Sequence, residues 1–336
     1  MDKRELMDAF LNNEPVDRVP VAFWHHYVSF HDHFGYREPA IYDAVVSGQK
    51  RYLDNVDPDF VKIMSDAFFG HPSVCRKLIT TVDDIAQIKA VGPDHDWIER
   101  QVAYVRDICD YAGDGIYKLY NIFSPLQYIR LRFEEFDEDN TKFTRLFRED
   151  PEAMVHAAGE IAKDVNLLVN RLFEETSIDG IYYSVQSVQD KKTFDHAAHR
   201  KYVEPYDLDV LKTINSHSSK NMIHICGYHH LYTNDLTWYK DYPVQIFNWA
   251  VHSDNLTLAE GKKLFGGKPV IGGFDNTPGT LLYSGTDEQI HREVFRILEE
   301  TGTVGVGIGA DCTVDMNLPV ARMEFIRQAA REYGAR

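Results

Sequence analysis

The sequence has few cysteines, no long apolar segment and fewer basic than acidic residues. Only four cysteines occur in 336 residues, too few for a disulfide framework in a chain of this length. No apolar run approaches the roughly 18 residues that a membrane-spanning helix needs. These absences argue against a disulfide-stapled or membrane-spanning protein, and they leave the thiols available to bind metal.

The charge balance is strongly acidic, with 36 Lys and Arg against 52 Asp and Glu and a formal net charge of −16. A general nucleic-acid binder needs a basic surface, so we expect no nucleic-acid partner. An acidic surface is most simply a solubility feature. The first eight residues lack the apolar region of an export signal, so we expect a cytoplasmic protein without membrane contact.

Short apolar runs alternate with longer amphipathic segments along the chain, and no linker divides them. The predicted strands are 20–24, 60–65, 115–123, 180–186, 222–226, 244–250, 270–274 and 305–310. The predicted helices are 40–54, 97–112, 124–136, 151–175, 198–218, 257–265, 286–300 and 318–333. Thr286 and Gln289 form a capping-box pattern at the start of one helix, and Gly302 follows its end.

Eight strands alternating with helices predict an α/β fold, a single (β/α)8 TIM barrel. We expect one domain over residues 1–336, with residues 1–17 as an N-terminal helical extension. Active sites of such barrels lie where the strands end, and polar residues recur there. Of these, we expect Ser184, Asn248 and Asp275 to contact a cofactor.

A predicted metal site is built from His224, Cys226 and Cys312. His224 and Cys226 are two residues apart on a predicted strand, so they share one face, and Cys312 closes another strand. One histidine and two thiolates are a zinc-type set, and three protein ligands leave one position open for catalysis. The alternative is that the cysteines are small core residues. Asp275, Asp311 and His229 are candidates for a fourth ligand.

Asp66, His25 and His26 are the predicted catalytic residues. Asp66 follows an apolar run, where it either orients a substrate or caps the next element. His25 and His26 end the first predicted strand, and one of them should face inward as a proton donor or substrate contact. The alternative is a polar strand end. We interpret the nearby His31 and His33 as loop residues.

Several segments together resemble the uroporphyrinogen decarboxylase superfamily. They are Arg18-Val-Pro-Val, the run before Asp66, Phe123-Ser-Pro-Leu, His224-Ile-Cys-Gly, the stretch from Leu258 to Lys268, and Ile271-Gly-Gly-Phe-Asp-Asn. The resemblance implies a (β/α)8 barrel, and Asp66 matches the pyrrole-binding aspartate of the decarboxylases. Their arginine-rich loop, which holds substrate carboxylates, corresponds here to Trp24-His-His-Tyr-Val-Ser-Phe, without arginine.

The zinc-dependent methylcobalamin:coenzyme M methyltransferases of this superfamily are the closer branch. Their zinc ligands match His224, Cys226 and Cys312, although Thr313-Val follows the last cysteine where that branch has a Cys-Gly-type turn. The resemblance implies Zn2+, methylcobalamin or another corrinoid as methyl donor, and a small-molecule thiol as acceptor. A corrinoid protein and a homodimer are further expected partners. The alternatives are a metal-free decarboxylase and a non-catalytic binder of corrinoid or tetrapyrrole.

Overall fold

A computed structural model describes residues 1–75, 78–139, 141–186, 195–227 and 233–336 of the chain. Seven parallel strands form one sheet in chain order. They are β1 (Phe60–Ile63), β2 (Tyr117–Phe123), β3 (Gly180–Gln186), β4 (Met222–Cys226), β5 (Ile246–Trp249), β6 (Val270–Phe274) and β7 (Val306–Ala310). Each is hydrogen-bonded to the next, for example with Ser184 beside His224 and His224 beside Asn248. The α/β class and these seven strands are as the sequence predicts.

Helices connect the strands and cover the outside of the sheet. They are α1 (Lys3–Leu11), α2 (Pro39–Val56), α3 (Pro72–Cys75), α4 (Val82–Ala86), α5 (Asp96–Ala112), α6 (Pro125–Leu131), α7 (Lys142–Glu149), α8 (Pro151–Glu175), α9 (His196–Tyr202), α10 (Glu204–His217), α11 (Val251–Asp254), α12 (Leu258–Leu264), α13 (Leu281–Ser284), α14 (Asp287–Thr301) and α15 (Val320–Gly334). Two 3-10 helices cover Phe30–Phe34 and Leu236–Tyr239, and a π-helix, Arg132–Phe136, continues α6. No helix within the described ranges combines the length and hydropathy needed to cross a bilayer.

The predicted capping of α14 is confirmed. Thr286 accepts a hydrogen bond from the backbone of Gln289, whose side chain binds back to the Thr286 backbone. Gly302 ends the helix at φ 82°, a backbone conformation that favours glycine. The predicted helix over 198–218 is instead two helices, because Pro205 starts α10 and cannot continue the hydrogen bonding of α9.

The predicted first strand, 20–24, is wrong, and with it the closed eight-stranded barrel. This segment forms only isolated parallel bridges, Val21 with Ile308 and His25 with Val314, so the sheet stays open with seven strands. On its other side, the N–H of Val21 donates to the Asp59 carboxylate (2.8 Å) instead of to a strand carbonyl. Pro20, whose carbonyl accepts from the Ile308 N–H, has no N–H of its own with which to extend the pairing on the β7 side.

The curled sheet has an apolar interior at the amino ends of its strands. Met7 and Phe10 of α1 pack there against inward-facing residues, including Phe60, Tyr117 and Met222. Further along the strands, the inward positions become polar. Strand alternation puts Lys62, Asn121, Ser184, His224 and Asn248 there, and all five are buried. The polar end of the interior is therefore the carboxyl end of the strands, where sites of parallel α/β folds lie.

Candidate active site and metal centre

A cavity of about 290 Å³ opens at the carboxyl end of the strands. His224, Cys226 and Cys312 line it together with Lys62, Asn121 and Ser184, while His26, His33 and Glu135 lie on another part of its wall. The predicted ligand residues and some of the predicted catalytic residues thus share one cavity.

The structure brings the three predicted zinc ligands together. The ligand atoms of His224, Cys226 and Cys312 lie within 4.8 Å of one another. The two sulfur atoms are 3.6 Å apart. Tetrahedral zinc with Zn–S bonds of about 2.3 Å holds two sulfurs roughly 3.8 Å apart, so the observed separation fits the ion.

Asn248 determines which nitrogen of His224 faces the cavity. Its Oδ1 accepts a hydrogen bond from Nδ1 of His224 (2.5 Å), and its Nδ2 donates to the carbonyls of Ile271 (2.8 Å) and Ala310 (3.2 Å). These two donations fix the amide orientation. His224 Nε2 therefore carries the lone pair, and it is buried without a hydrogen-bond partner in the described part of the chain. A buried acceptor of this kind is satisfied by a metal ion.

The Cys312 thiol is in an environment that favours its thiolate form. A hydrogen bond from Cys226 lowers the pKa of Cys312 well below its usual value, and His224 and Lys62 act in the same direction against burial. Metal binding requires the thiolate form, so this shift favours coordination. The donor set, the sulfur separation and the unpartnered nitrogen together fit zinc.

Lys62 is a functional candidate that the sequence interpretation missed. Its ammonium lies 4.1 Å from the Tyr182 ring centroid and 5.4 Å from that of Trp24. Burial lowers the pKa of Lys62 to about 8, although the two site cysteines and Asp66 oppose the shift. The alternation of β1 was a usable signal, because it puts Lys62 on the same face as Phe60 and Met64, which pack inside the sheet.

His26 and His25 point in different directions. His26 lines the cavity, and its Nδ1 donates to Asp66 Oδ1 (2.9 Å). Burial alone would lower the pKa of His26, but the Asp66 charge outweighs burial and raises this pKa above its usual value. His25 packs on Tyr52 and is absent from the described cavity wall, and burial lowers its pKa to about 4. The inward member of the predicted pair is thus His26.

Asp66 is fully buried behind His26. Its second oxygen accepts the backbone N–H of Tyr27 (2.7 Å), and its pKa is lowered by His26 despite burial. The loop interpretation of His33 is wrong, because this residue is 1% exposed within the Phe30–Phe34 helix. His31 lies in the same 3-10 helix instead of a loop, but its side chain is exposed.

The predicted cofactor contacts are dispersed. Ser184 lines the cavity, and its Oγ donates to Asn121 (2.9 Å). Asn248 lies behind His224, as described above. Asp275 accepts the N–H of Thr277 (2.8 Å) and does not line the described part of the cavity.

None of the described candidates for a fourth ligand joins the zinc-type cluster. Asp275 and Asp311 are outside the group of atoms within 4.8 Å. Asp311 instead accepts both the backbone N–H (2.8 Å) and Nδ1–H (2.9 Å) of His252. The third candidate, His229, lies outside the described residues. Among the described residues, the candidate ligands in this cluster therefore number three.

With this geometry in place, comparison with known proteins identifies the family. The sequence profile of the family described as uroporphyrinogen decarboxylase (URO-D) matches residues 69–333. The chain belongs to the uroporphyrinogen decarboxylase family. The resemblance stated from the sequence motifs is thereby confirmed. A sequence search of curated proteins finds no match.

Solved structures share the fold of this family member. A methyltransferase from Methanosarcina mazei superposes with a TM-score of 0.72 at 14% identity, covering 99% of both chains. A B12-independent methionine synthase from Shewanella sp. W3-18-1 superposes with a TM-score of 0.56 at 14% identity, covering 95% of this chain and 94% of its own. At these identities the likeness establishes the fold.

Asn248 provides a test of the metal centre that leaves all three ligands in place. We expect Asn248→Ala to weaken zinc binding about 10- to 100-fold, because His224 loses the acceptor that fixes its tautomer. Competition with a chromophoric chelator measures the affinity. Asn170→Ala on the outer helix α8 is the control and should bind zinc normally. If the two variants bind zinc with equal affinity, Asn248 has no role in metal binding.

Proposed function

We propose that this protein is a zinc-dependent methyltransferase that moves a methyl group from a methylated corrinoid to a thiol. The observation that carries the proposal is the cavity-lining cluster of His224, Cys226 and Cys312, with its unpartnered imidazole nitrogen. Zinc bound there would supply a Lewis acid that favours the thiolate form of the acceptor. Membership of a family with a methyltransferase-like fold is consistent with this activity.

The overall reaction balances without an external oxidant or reductant. The acceptor sulfur gains the methyl group, and the thiol proton is released to solvent. Cobalt keeps the electron pair of its carbon bond and passes from Co(III) to Co(I). Nucleophilic attack by sulfur requires a thiolate at the reacting position, which is why a site that stabilises thiolate suits this reaction.

The protein's own residues supply orientation and charge. Asn248 holds His224 in the ligating tautomer, and Ser184 and Asn121 offer polar contacts on the cavity wall. With zinc bound, two cysteine thiolates and a substrate thiolate would bring three negative charges to one divalent ion. The buried Lys62 ammonium offsets the excess negative charge in a low-dielectric interior. His26, backed by Asp66, is a substrate contact.

The cavity favours a small acceptor over a porphyrinogen substrate. Its volume of about 290 Å³ is at the lower end of small-molecule sites, which span roughly 300–1,000 Å³. Among the described residues that line it, none is arginine, so the usual clamp for several carboxylates is missing there. We propose that the corrinoid docks over the cavity mouth, either free or on a separate corrinoid protein. A homodimer in the cytoplasm remains part of the proposal.

A direct assay distinguishes this function from a decarboxylase. Zinc-loaded protein is incubated with methylcobalamin and a panel of thiols, including 2-mercaptoethanesulfonate, homocysteine and glutathione. Conversion of the cobalamin spectrum and the methyl thioether in mass spectrometry support the proposal. The opposite result would be that metal-free protein converts uroporphyrinogen to coproporphyrinogen and forms no thioether. That result would contradict the methyltransferase proposal and indicate a decarboxylase.

Lys62→Met tests the electrostatic role of the lysine. We expect the variant to bind zinc but to transfer methyl at least tenfold more slowly, because the negative charge at the thiolates is no longer offset. Lys118→Met is a matched control, since Lys118 is also buried but bonds to Gly113 and Ser177 and does not line the described cavity wall. Similar rates for both variants would contradict a role for Lys62.

A further inference from the structure

A second group of ligand-type side chains lies on the cavity wall formed by residues that precede and follow β1. The ligand atoms of His26, His33 and Asp66, here named the His–Asp cluster, lie within 4.8 Å of one another. His33 and Asp66 are buried, and His26 is half-buried at the cavity surface. None of them belongs to the zinc site formed by His224 and the cysteines.

Aromatic side chains enclose the two imidazoles. The ring of Phe69 lies 4.2 Å from that of His33, and Phe30 lies 5.2 Å from the same ring. The rings of His26 and His33 are 4.6 Å apart. Such packing removes solvent from the His33 imidazole, so its nitrogen atoms depend on partners supplied by the protein or by a ligand.

The hydrogen bonds around His33 leave one nitrogen without a partner. Its Nδ1 faces Glu135 Oε2 at 3.5 Å, so the Nδ1–H points toward this buried carboxylate. Its Nε2 is 3.9 Å from Asp66 Oδ1. That separation is too long for a hydrogen bond. In the described part of the chain, Nε2 is buried with no hydrogen-bond partner.

A cation between His33 and Asp66 resolves this arrangement. With the proton on Nδ1, the buried Nε2 lone pair faces the Asp66 carboxylate at 3.9 Å, and a positive charge between these two acceptors would stabilise both. A second proton on the ring would still leave a buried N–H without an acceptor at 3.9 Å. The pairing of Glu135 with the far nitrogen is the usual way in which a metal-binding histidine is oriented.

The distances suit a divalent transition-metal ion. In an octahedral site with bonds of about 2.1 Å, neighbouring ligand atoms lie roughly 3.0 Å apart. His26 Nδ1 and Asp66 Oδ1 are 2.9 Å apart, and a bound ion would replace the Nδ1 proton that now joins them. Small side-chain movement would bring His33 Nε2 into the same sphere. Two histidines and one carboxylate leave further coordination positions open.

We propose that His26, His33 and Asp66 bind a second divalent transition-metal ion, with Glu135 orienting His33. Its open positions would face the cavity, where it would bind an oxygen atom of the molecule that occupies the cavity. The site shares no ligand with the cysteine site, so metal binding at the two sites can be tested separately. The π-helix that carries Glu135 is a local irregularity of the kind often found at functional sites.

Cobalt(II) binding to metal-free protein separates the two sites. We expect two equivalents to bind. The first site gives sulfur-to-cobalt charge-transfer absorption, and the His–Asp cluster gives none, because it has no sulfur ligand. The Cys226→Ser, Cys312→Ser double variant should keep one equivalent without that absorption. If this folded double variant binds no cobalt, the second site does not exist.

Substitutions in the His–Asp cluster complete the test. His33→Gln and Asp66→Asn should lose the sulfur-free equivalent and keep the charge-transfer absorption, which also reports that the barrel is folded. His31→Gln is the matched control, since His31 is exposed on the same 3-10 helix, and it should bind both equivalents. Sulfur-free binding that persists in both cluster variants would overturn the proposal. Absence of the charge-transfer band from otherwise normal protein would count only against the zinc site.

Discussion

Replacing Cys226 or Cys312 by serine is expected to reduce bound zinc at the cysteine site from about one ion per chain to almost none. A serine hydroxyl stays protonated at neutral pH and is a weak ligand for zinc, whereas the thiol gives a thiolate. The remaining thiolate and His224 then provide only two good ligands. Either loss should also abolish the proposed methyl transfer.

Elemental analysis of protein purified without chelator, combined with a thiol-sensitive spectrum of the cobalt-substituted form, measures this outcome. Cys75→Ser is the matched control, because Cys75 lies at the end of α3 and outside the ligand cluster. It should retain its zinc and its charge-transfer band. Wild-type protein that is folded but takes up no zinc would refute the zinc-dependent mechanism altogether.

The cluster of His224, Cys226 and Cys312 was accessible from the sequence because the regular geometry of parallel strands determines it. Strand alternation alone puts His224 and Cys226 on one face, and the shared carboxyl end of parallel strands brings Cys312 to them. The structure confirms this convergence, with the two sulfurs 3.6 Å apart. The tautomer of His224 could not be predicted from the sequence. It is set by Asn248, whose side-chain orientation depends on hydrogen bonds to two carbonyls of other strands.

The His–Asp cluster was not accessible in the same way. His33 is separated from Glu135 by 102 residues, and no sequence feature near His33 predicts that it is buried. Its position depends on a short 3-10 helix and on packing against Phe69, both of which are set by tertiary contacts. A polar stretch with several histidines is typical of a loop, so the local pattern and the three-dimensional environment disagree.

The first predicted strand failed for an equally specific reason. The run 20–24 has the apolar character of a strand, and its carbonyls do bond to β7 and to the residue before β1. On the side that faces β1, however, the Asp59 carboxylate takes the place of a strand carbonyl as the acceptor for Val21. The position of this carboxylate depends on its ion pair with Arg18, which the hydrophobic pattern of the sequence does not identify. Arg18 donates from Nη1 and Nη2 to the two oxygens of Asp59, at 2.7 and 2.6 Å.

This pair should make Asp59 one of the most sensitive positions for stability. Asp59 is buried, and besides Arg18 its carboxylate accepts the N–H of Val21. Asp59→Ala is therefore expected to lower the free energy of unfolding by about 3–5 kcal/mol, because it leaves a mostly buried guanidinium without its counter-charge. The same change frees the extended segment that leads to His26, so the cavity wall should loosen as well.

Urea unfolding followed by circular dichroism measures the effect, and an exposed pair of the same geometry supplies the control. Arg37 binds both oxygens of Asp96, at 2.8 and 2.7 Å, but the two side chains are 52% and 41% exposed. Asp96→Ala should therefore cost no more than about 1 kcal/mol. Asp59→Asn keeps the shape of the side chain and an acceptor for the Val21 N–H. A loss of unfolding free energy smaller than that of Asp59→Ala and larger than that of Asp96→Ala would separate the contribution of charge from that of hydrogen bonding. Equal losses for Asp59→Ala and Asp96→Ala would show that backbone hydrogen bonds alone hold the segment.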